Sequence, residues 1–352
     1  MDCDGTDALL AQVCDATARG TALRIVGGDT KRFYGRAIDG VPLATRGHTG
    51  ILRHDPAELV LTARGGTPLA EVETQLAAHG QRLPFEPPHF GTDATLGGTV
   101  AAGLAGPVRA WAGPLRDYVL GARVLTGDGR VLRFGGEVMK NVAGYDVSRL
   151  MAGSLGALGV LLDVSLKVLP RAEAERTLVL EFDEAQALEH LASLARGALP
   201  LSASSWFDGQ LCLRFEGSTA TLDAVAARVG GEVLPDCGSF WASLREQTHP
   251  FFAGEQPLWR CTVPGLVAPL SLGGVPLVEW NGMQRWYRGV ADAAAFAAAA
   301  AVGGHATLFR HHTDATEVFT PLPPPLLRLH RELKRVFDPA GILNPGRMYA
   351  GH

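Results

Sequence analysis

Three glycine-rich stretches carry the residues of this 352-residue chain best suited to chemistry, and that chemistry is the holding of a phosphate-bearing ligand. The first is Val26-Gly27-Gly28-Asp29-Thr30-Lys31, directly after a short apolar run. Adjacent glycines let successive backbone N–H groups converge on one point, and such a concavity suits a phosphate. A plain tight turn uses the same residue types. The string is neither G-x-G-x-x-G nor a Walker A sequence, which disfavours a Rossmann dinucleotide site and a P-loop.

The second stretch runs from Gly91 to Gly103 and includes Thr92, Thr95, Leu96, Gly97, Gly98 and Val100. Small residues over such a length let a large planar ligand lie against main chain. A glycine-rich surface loop is the competing reading. The third is Gly153-Ser154-Leu155-Gly156-Ala157-Leu158-Gly159-Val160, whose glycines would equally serve close packing of a helix on a sheet. Before it stands Lys140-Asn141-Val142-Ala143-Gly144-Tyr145-Asp146. Between the second and third lie Arg116 and Asp117, a pair more often found on a surface than against a ligand, and Val119.

A fourth cluster offers acid–base chemistry: His305, then Arg310-His311-His312. Arg310 could hold a carboxylate and a histidine could act as base. On a strand, His305 and His311 share a face and His312 lies opposite. A polar strand end or a subunit surface explains the same residues.

These stretches need a scaffold. A helix is expected over 6–18 and a strand over 23–26. A second strand over 59–62 leads to Thr67-Pro68, which reads as an N-cap with proline at the first position of a helix over 68–79. A strand follows at 81–84. Apolar runs at 119–125 and 130–134 flank Thr126-Gly127-Asp128-Gly129, a hairpin signal, and another strand spans 158–168. Beyond Pro170 the expected elements are strands at 176–182, 211–215, 257–263 and 284–290 and helices at 184–196, 219–229 and 291–302. Pro321-Leu322-Pro323-Pro324-Pro325 is a stiff connector into a helix over 326–336. Trp206, Phe240, Trp241, Trp259, Trp280, Trp286 and Tyr287 concentrate in this second part, as core or as a partner surface.

The net charge of -4, with no basic block, argues against a nucleic-acid surface or a polybasic membrane patch. Cys3, Cys14, Cys212, Cys237 and Cys261 are scattered and form no C-x-x-C, so no iron–sulfur cluster, zinc site or other metal site is expected. Scattered thiols suit a reducing compartment. The opening MDCDGTDALLAQ has no basic and then apolar leader pattern. No apolar run reaches transmembrane length. A cytoplasmic protein is expected.

The order of the three stretches is more specific than any one alone. The strings at 25–36, 83–107, 115–161 and 337–349 resemble the FAD-binding domain of the vanillyl-alcohol oxidase (PCMH-type) flavoprotein superfamily. Within it they are most similar to the FAD-binding E-subunit family of bacterial glycolate oxidases. The resemblance implies that 26–31 wrap the FAD pyrophosphate, that 92–100 line the isoalloxazine and ribityl side, and that 153–160 approach the adenosine. It brings Asn344-Pro345-Gly346 back near the flavin and adds Arg116, Asp117 and Val119 to the candidate contacts. Relatives that bond flavin covalently use a histidine just after the first glycines. Here Asp29-Thr30-Lys31 stands instead, so non-covalent FAD is expected.

The resemblance also implies partners: a D-type flavoprotein subunit and an F-type iron–sulfur subunit, with a 2-hydroxy acid as substrate and membrane association only through the complex. Related dehydrogenases and the D subunit carry a His-x-Gly-Asp-Gly-Asn metal motif that this chain lacks. The expected fold is α+β: an FAD-binding domain over 1–170, a smaller cap domain over 171–320, and a segment 321–352 that packs back on the first. The expected function is the FAD-binding subunit of a complex that oxidises glycolate to glyoxylate. A self-sufficient D-lactate-type dehydrogenase and a non-catalytic assembly subunit with a vestigial flavin site remain alternatives.

Overall fold

Alternating apolar residues on either side of the Asp128-Gly129 turn close the expected hairpin, and the sheet built on it carries the first unit of the structure. The computed structural model describes residues 2–136, 146–265, 267–311 and 317–352. They divide into two units. The first takes the chain up to Leu104, then Pro114–Pro170 and Pro321–His352; the second takes Ala105–Gly113 and Arg171–Thr320.

In the first unit, β1 (Leu23–Val26) pairs in parallel with β2 (Val41–Ala44). Then come β3 (Ile51–Asp55), β4 (Val60–Arg64), β5 (Gln81–Arg82), β6 (Val119–Leu125), β7 (Val131–Gly135), β8 (Val160–Lys167) and β9 (Leu169–Pro170). Five of these form an antiparallel sheet in the order β3-β4-β8-β6-β7, and β5 pairs with β9. Leu9 and Val13 of the helix Thr6–Arg19 pack with Leu43, Leu125, Val160, Leu162 and the tail residues Ile342 and Leu343 in one core.

The same sheet buries charge. Arg123 on β6 pairs in register with Asp163 on β8, and His48 lies 3.3 Å from the Asp163 carboxylate. The Gly5 N–H donates to His48 Nδ1, which leaves the Nε2 proton for Asp163. Burial works to raise the Asp163 pKa, but the hydrogen bonds from His48 and Arg123 outweigh it and hold it below the ordinary value.

The second unit is one eight-stranded sheet. Its strands are β10 (Ala174–Glu181), β11 (Leu201–Phe207), β12 (Gln210–Gly217), β13 (Glu232–Val233), β14 (Leu258–Thr262), β15 (Leu277–Glu279), β16 (Gln284–Arg288) and β17 (His305–Arg310). Their order is β13-β10-β12-β11-β15-β16-β14-β17, with antiparallel neighbours throughout. Helices Glu184–Leu194 and Thr219–Val229 cover one apolar cluster through Leu191, Leu222 and Val225. Helix Asp292–Ala301 covers a second, where Ala295 and Ala299 meet Trp259, Tyr287 and Leu308. Trp206, Trp241, Trp259, Trp280, Trp286 and Tyr287 are all buried, so these aromatics are core and only Phe240 is half-exposed. Both units are α+β.

Several elements depart from the sequence expectation. The glycine-rich 91–103 stretch is not loop throughout: Leu96–Ala102 is a helix. Thr67 does not cap the next helix. Its hydroxyl bonds the Gly50 N–H and carbonyl, while Pro68 holds the cap position of Leu69–Ala77 without a side-chain bond. β2, β3, β9, β11, β13 and β15 have no counterpart in the sequence reading. Residues 105–113 join the second unit, where Trp111 packs on the first apolar cluster and the Trp280 indole donates to the Gly106 carbonyl. Among the described residues no helix is long and apolar enough to cross a membrane.

Candidate functional site

Strand β1 ends at Val26 because Gly27-Gly28 turn the chain sharply, and Asp29 follows with a φ of 57°. An aspartate tolerates this left-handed conformation better than most residues. Arg24, 3.3 Å from the Asp29 carboxylate, fixes the side chain. The backbone N–H groups of Gly27, Gly28, Asp29 and Thr30 donate to no described residue, whereas the carbonyl of Val26 accepts from Thr45. Four successive free donors on one turn make an anion nest. The residues present therefore fit the pyrophosphate of the FAD that the resemblance implies.

The turn is pressed against the second glycine stretch. A Cβ on Gly28 would collide with the Asp93 carbonyl oxygen, and one on Gly27 with the Thr95 hydroxyl. Lys31 reaches across as well: its ammonium donates to the His89 carbonyl at 3.2 Å and lies over the Phe90 ring. Thr92 and Asp93 are exposed, and Arg46 pairs with Asp93 at 2.9 Å.

Thr95 caps the helix Leu96–Ala102, its hydroxyl accepting from the Gly98 N–H, and Gly103 ends it in the left-handed region. The first N–H groups of this helix are all used. Leu96 donates to Thr67, Gly97 to Gly65 at 2.7 Å, and Thr99 to Thr95. The helix start is thus not a second phosphate site. The side chains of Leu96 and Val100 are fully buried. One polar atom here has no partner: the buried Thr99 hydroxyl.

The third stretch meets the end of this helix. Gly153 donates to the Val100 carbonyl at 3.0 Å and Leu155 to Ala101 at 2.9 Å. A Cβ on Gly103 would sit 2.8 Å from Gly153 Cα. Gly153, Leu155, Gly156 and Gly159 all have positive φ, and Ser154 is buried. Val160 begins β8 with its side chain in the core. Val119, first residue of β6, is buried too, while Arg116 and Asp117 form an exposed pair at 3.8 Å. Residues 140–145 of the preceding string lie outside the described residues. Asp146, which follows them, caps the short helix Val147–Leu150.

The C-terminal segment binds this assembly together. The Asn344 amide oxygen accepts from the Ile25 N–H at 2.8 Å, and its amide nitrogen donates to the Leu155 carbonyl at 2.7 Å. The side chain thus joins β1, which leads into the first stretch, to the third, with both amide ends on protein backbone. Arg347 does more, and sequence reasoning missed it. Its guanidinium donates to the carbonyls of Arg36 at 2.7 Å, Tyr34 at 2.7 Å, Arg32 at 2.9 Å and Lys31 at 3.4 Å. Burial pushes its pKa down to about 10, so it remains charged at neutral pH. The one sequence signal for it was an arginine inside the 337–349 string that carries the resemblance. Lys334 anchors the segment from behind, bonding the Ala157 and Leu343 carbonyls and the Asp338 carboxylate.

The histidine cluster of the second unit is not assembled as expected. β17 stops at Arg310, and His311 leaves the strand with a φ of 63°, so His305 and His311 do not share a strand face. His312 lies outside the described residues. Arg310 donates to the Gln247 side chain at 2.8 Å. His305 is exposed, and its pKa is lowered by partial enclosure and then by Arg260 and Arg109. Among the described residues no group of three or more histidine, cysteine, aspartate or glutamate side chains could hold a metal ion.

The family model described as the FAD binding domain matches residues 3–135, and the C-terminal domain of FAD linked oxidases matches 279–348. In fold the chain is similar to alkyldihydroxyacetonephosphate synthase, with a TM-score of 0.68 over 96% of this chain and 74% of that one at 16% identity. Fold and site together define an FAD-linked oxidase of the PCMH type. The chain is 48% identical to glycolate oxidase subunit GlcE of Escherichia coli over 99% of both chains. It is also 31% identical to glycolate oxidase subunit GlcD of Bacillus subtilis, over 39% of this chain and 29% of that protein. The chain belongs to the glycolate oxidase GlcE family of FAD-linked oxidoreductases, and its cofactor is FAD.

Proposed function

We propose that the chain is the FAD-holding subunit of a glycolate oxidase complex, which oxidises glycolate to glyoxylate and passes the electrons to an iron–sulfur partner. The observation that carries this reading is the end-to-end identity with the Escherichia coli subunit. The structure supports it through the nest at Gly27–Thr30, which would take the FAD pyrophosphate. Thr95, Gly97, Gly98 and Gly103 would keep the neighbouring backbone close enough for a flat ligand, and Gly153–Gly159 would border the adenosine. Asn344 and Arg347 would position these loops. Leu96, Val100, Val119 and Val160 would act from the core beneath them. FAD, when bound, supplies a two-electron acceptor that can return electrons one at a time.

Oxidation of a 2-hydroxy acid needs a cation for the carboxylate and a base for the hydroxyl proton. Arg310, His305 and His311 are not gathered into such a pair, so the reading assigns substrate oxidation to the assembled complex with a D-type subunit. It takes the chain as cytoplasmic and its FAD as non-covalent, since no histidine follows Gly28 before Lys31.

The purified chain should be yellow, and denaturation followed by filtration should release the flavin. A colourless chain, or colour retained on the denatured protein, would contradict the reading. Anaerobic glycolate should bleach the flavin only when the D-type subunit is present. Bleaching of the chain alone would make it a self-sufficient dehydrogenase.

A further inference from the structure

The hairpin between β15 and β16 turns on Trp280, Asn281 and Gly282, whose φ values are 53°, 58° and 83°. Asparagine and glycine are the residues that such left-handed positions favour. A bulky tryptophan there is an outlier, and the strain persists only where surrounding contacts outweigh it. Trp280 is buried, and its side chain grips one segment, Ala105–Gly113 of the same unit. The indole N–H donates to the Gly106 carbonyl at 3.0 Å. The Arg109 guanidinium lies 4.5 Å from the centre of the ring, a cation–π contact.

The gripped segment leads directly out of the helix Leu96–Ala102. Gly103 ends that helix and has no room for a Cβ against Gly153. Gly106 follows three residues later, a span of at most about 11 Å, so Gly106 cannot shift far without Gly103 following. Pro107 and Val108 are buried, and Trp111 packs on the first apolar cluster of the second unit. The segment then ends at Gly113, with a φ of 91°, and Pro114 leads back through Leu115–Tyr118 to β6.

We propose that Trp280 is a positioning residue for the FAD site: it holds the 105–113 segment and, through it, fixes the end of the helix that bears Gly97 and Gly98. The inference rests on the reading of the glycine stretches as the FAD cradle, and goes beyond it by giving that cradle a support in the second unit. A tryptophan stands where the turn itself calls for asparagine or glycine, so its side chain is kept for what it touches. At the helix end, Gly153 donates to the Val100 carbonyl and Leu155 to Ala101. Packing this close passes a displacement of the helix on to the third stretch instead of absorbing it.

The test uses the full chain, with FAD affinity read by fluorescence quenching and local opening by hydrogen exchange. Trp280→Asn suits the turn and removes both contacts. It should weaken FAD binding about tenfold, the size of an ordinary coupling between sites, and speed exchange in Leu96–Ala102. Exchange in β10 and β12 should stay at the wild-type rate, which a general loss of stability would not allow. Trp280→Phe keeps a ring for Arg109 and loses the indole donor, so it should recover part of the affinity. Two glycines inserted between Leu104 and Ala105 slacken the connection without touching either contact. They should weaken FAD binding by themselves, and Trp280→Asn should then cost nothing more, because the two changes break one linkage. Wild-type affinity in Trp280→Asn, or effects of insertion and substitution that add in full, would overturn the proposal and leave the functional reading intact. Should Trp280→Asn also speed exchange in β10 and β12, Arg109→Ala, which leaves the turn unchanged, takes its place under the same criteria. A wild-type chain that binds no FAD would sink the reading of the glycine stretches, and the inference with it.

Discussion

At the scale of single residues, the site depends on positions that hold the first loop rather than on charged side chains aimed at a ligand. Gly28 is one, because no Cβ fits between its backbone and the Asp93 carbonyl. Gly28→Ala forces the turn away from Asp93 at a cost of about 1–3 kcal/mol, typical of overpacking. It also misdirects the four free N–H groups. FAD titration of the variant should show at least a tenfold loss of affinity, and unchanged affinity would remove the nest from the site. Arg347 is the other. It spreads four carbonyls of 31–36 around one guanidinium, and no lysine can reproduce that planar fork. Arg347→Ala should release the loop and lower FAD affinity, and Arg347→Lys should recover only part of it. Equal affinities for wild type and the alanine variant, measured by fluorescence quenching of added FAD, would make the arginine a mere tether.

At the scale of elements, the helix Leu96–Ala102 links all three stretches and depends on Thr95 at its start. Thr95→Val removes the cap at a cost of about 1 kcal/mol while keeping the bulk that packs on Gly27. Thermal unfolding should show that loss, and flavin occupancy should fall with it. The composition of this stretch signals loop rather than helix for a physical reason. Two successive glycines each disfavour a helix by about 1 kcal/mol, and seven residues give no amphipathic period to detect. What makes the helix is tertiary: Gly97 fits only because Gly65 lies against it, and Gly65 is distant in sequence. Long periodic elements were legible, as Thr219–Val229 and the β6–β7 hairpin show. So was the grouping of glycine stretches. The strands β2 and β3 were hidden by proline, histidine and charged residues at the sheet edge, and the role of Arg347 by its partners being backbone carbonyls, whose identity no side chain in the sequence reports. The pairing of His305 with His311 failed because a strand end cannot be placed to one residue from composition.

At the scale of the whole molecule, the two units carry buried carboxyls tuned in opposite senses. Asp163 in the first is held below its ordinary pKa, so its contribution is present above about pH 4, near the unfolded value, and is lost as pH falls through the lower folded value. Glu279 in the second is buried at the centre of the sheet, and burial pushes its pKa up to about 7 against the hydrogen bonds from Trp286 and Gln284. The folded form keeps its proton where the unfolded form has lost it. The stabilisation is therefore complete below about pH 4.5 and declines as pH rises to about 7, by on the order of 3 kcal/mol. Burial holds His190 and His249 below their ordinary values, and partial enclosure with Arg260 and Arg109 does the same for His305, which acts in the opposite direction as they take up protons on unfolding. A raw pH slope mixes these effects, and a Glu279→Gln variant separates them because the histidines are common to both proteins. Hydrogen exchange of the amides in Leu277–Arg288 should show the wild type losing protection relative to the variant between pH 4.5 and 7, while protection in Val160–Lys167 stays the same in both. A constant difference across that range would mean that Glu279 ionises as in water, and the sheet centre would then have to be open to solvent.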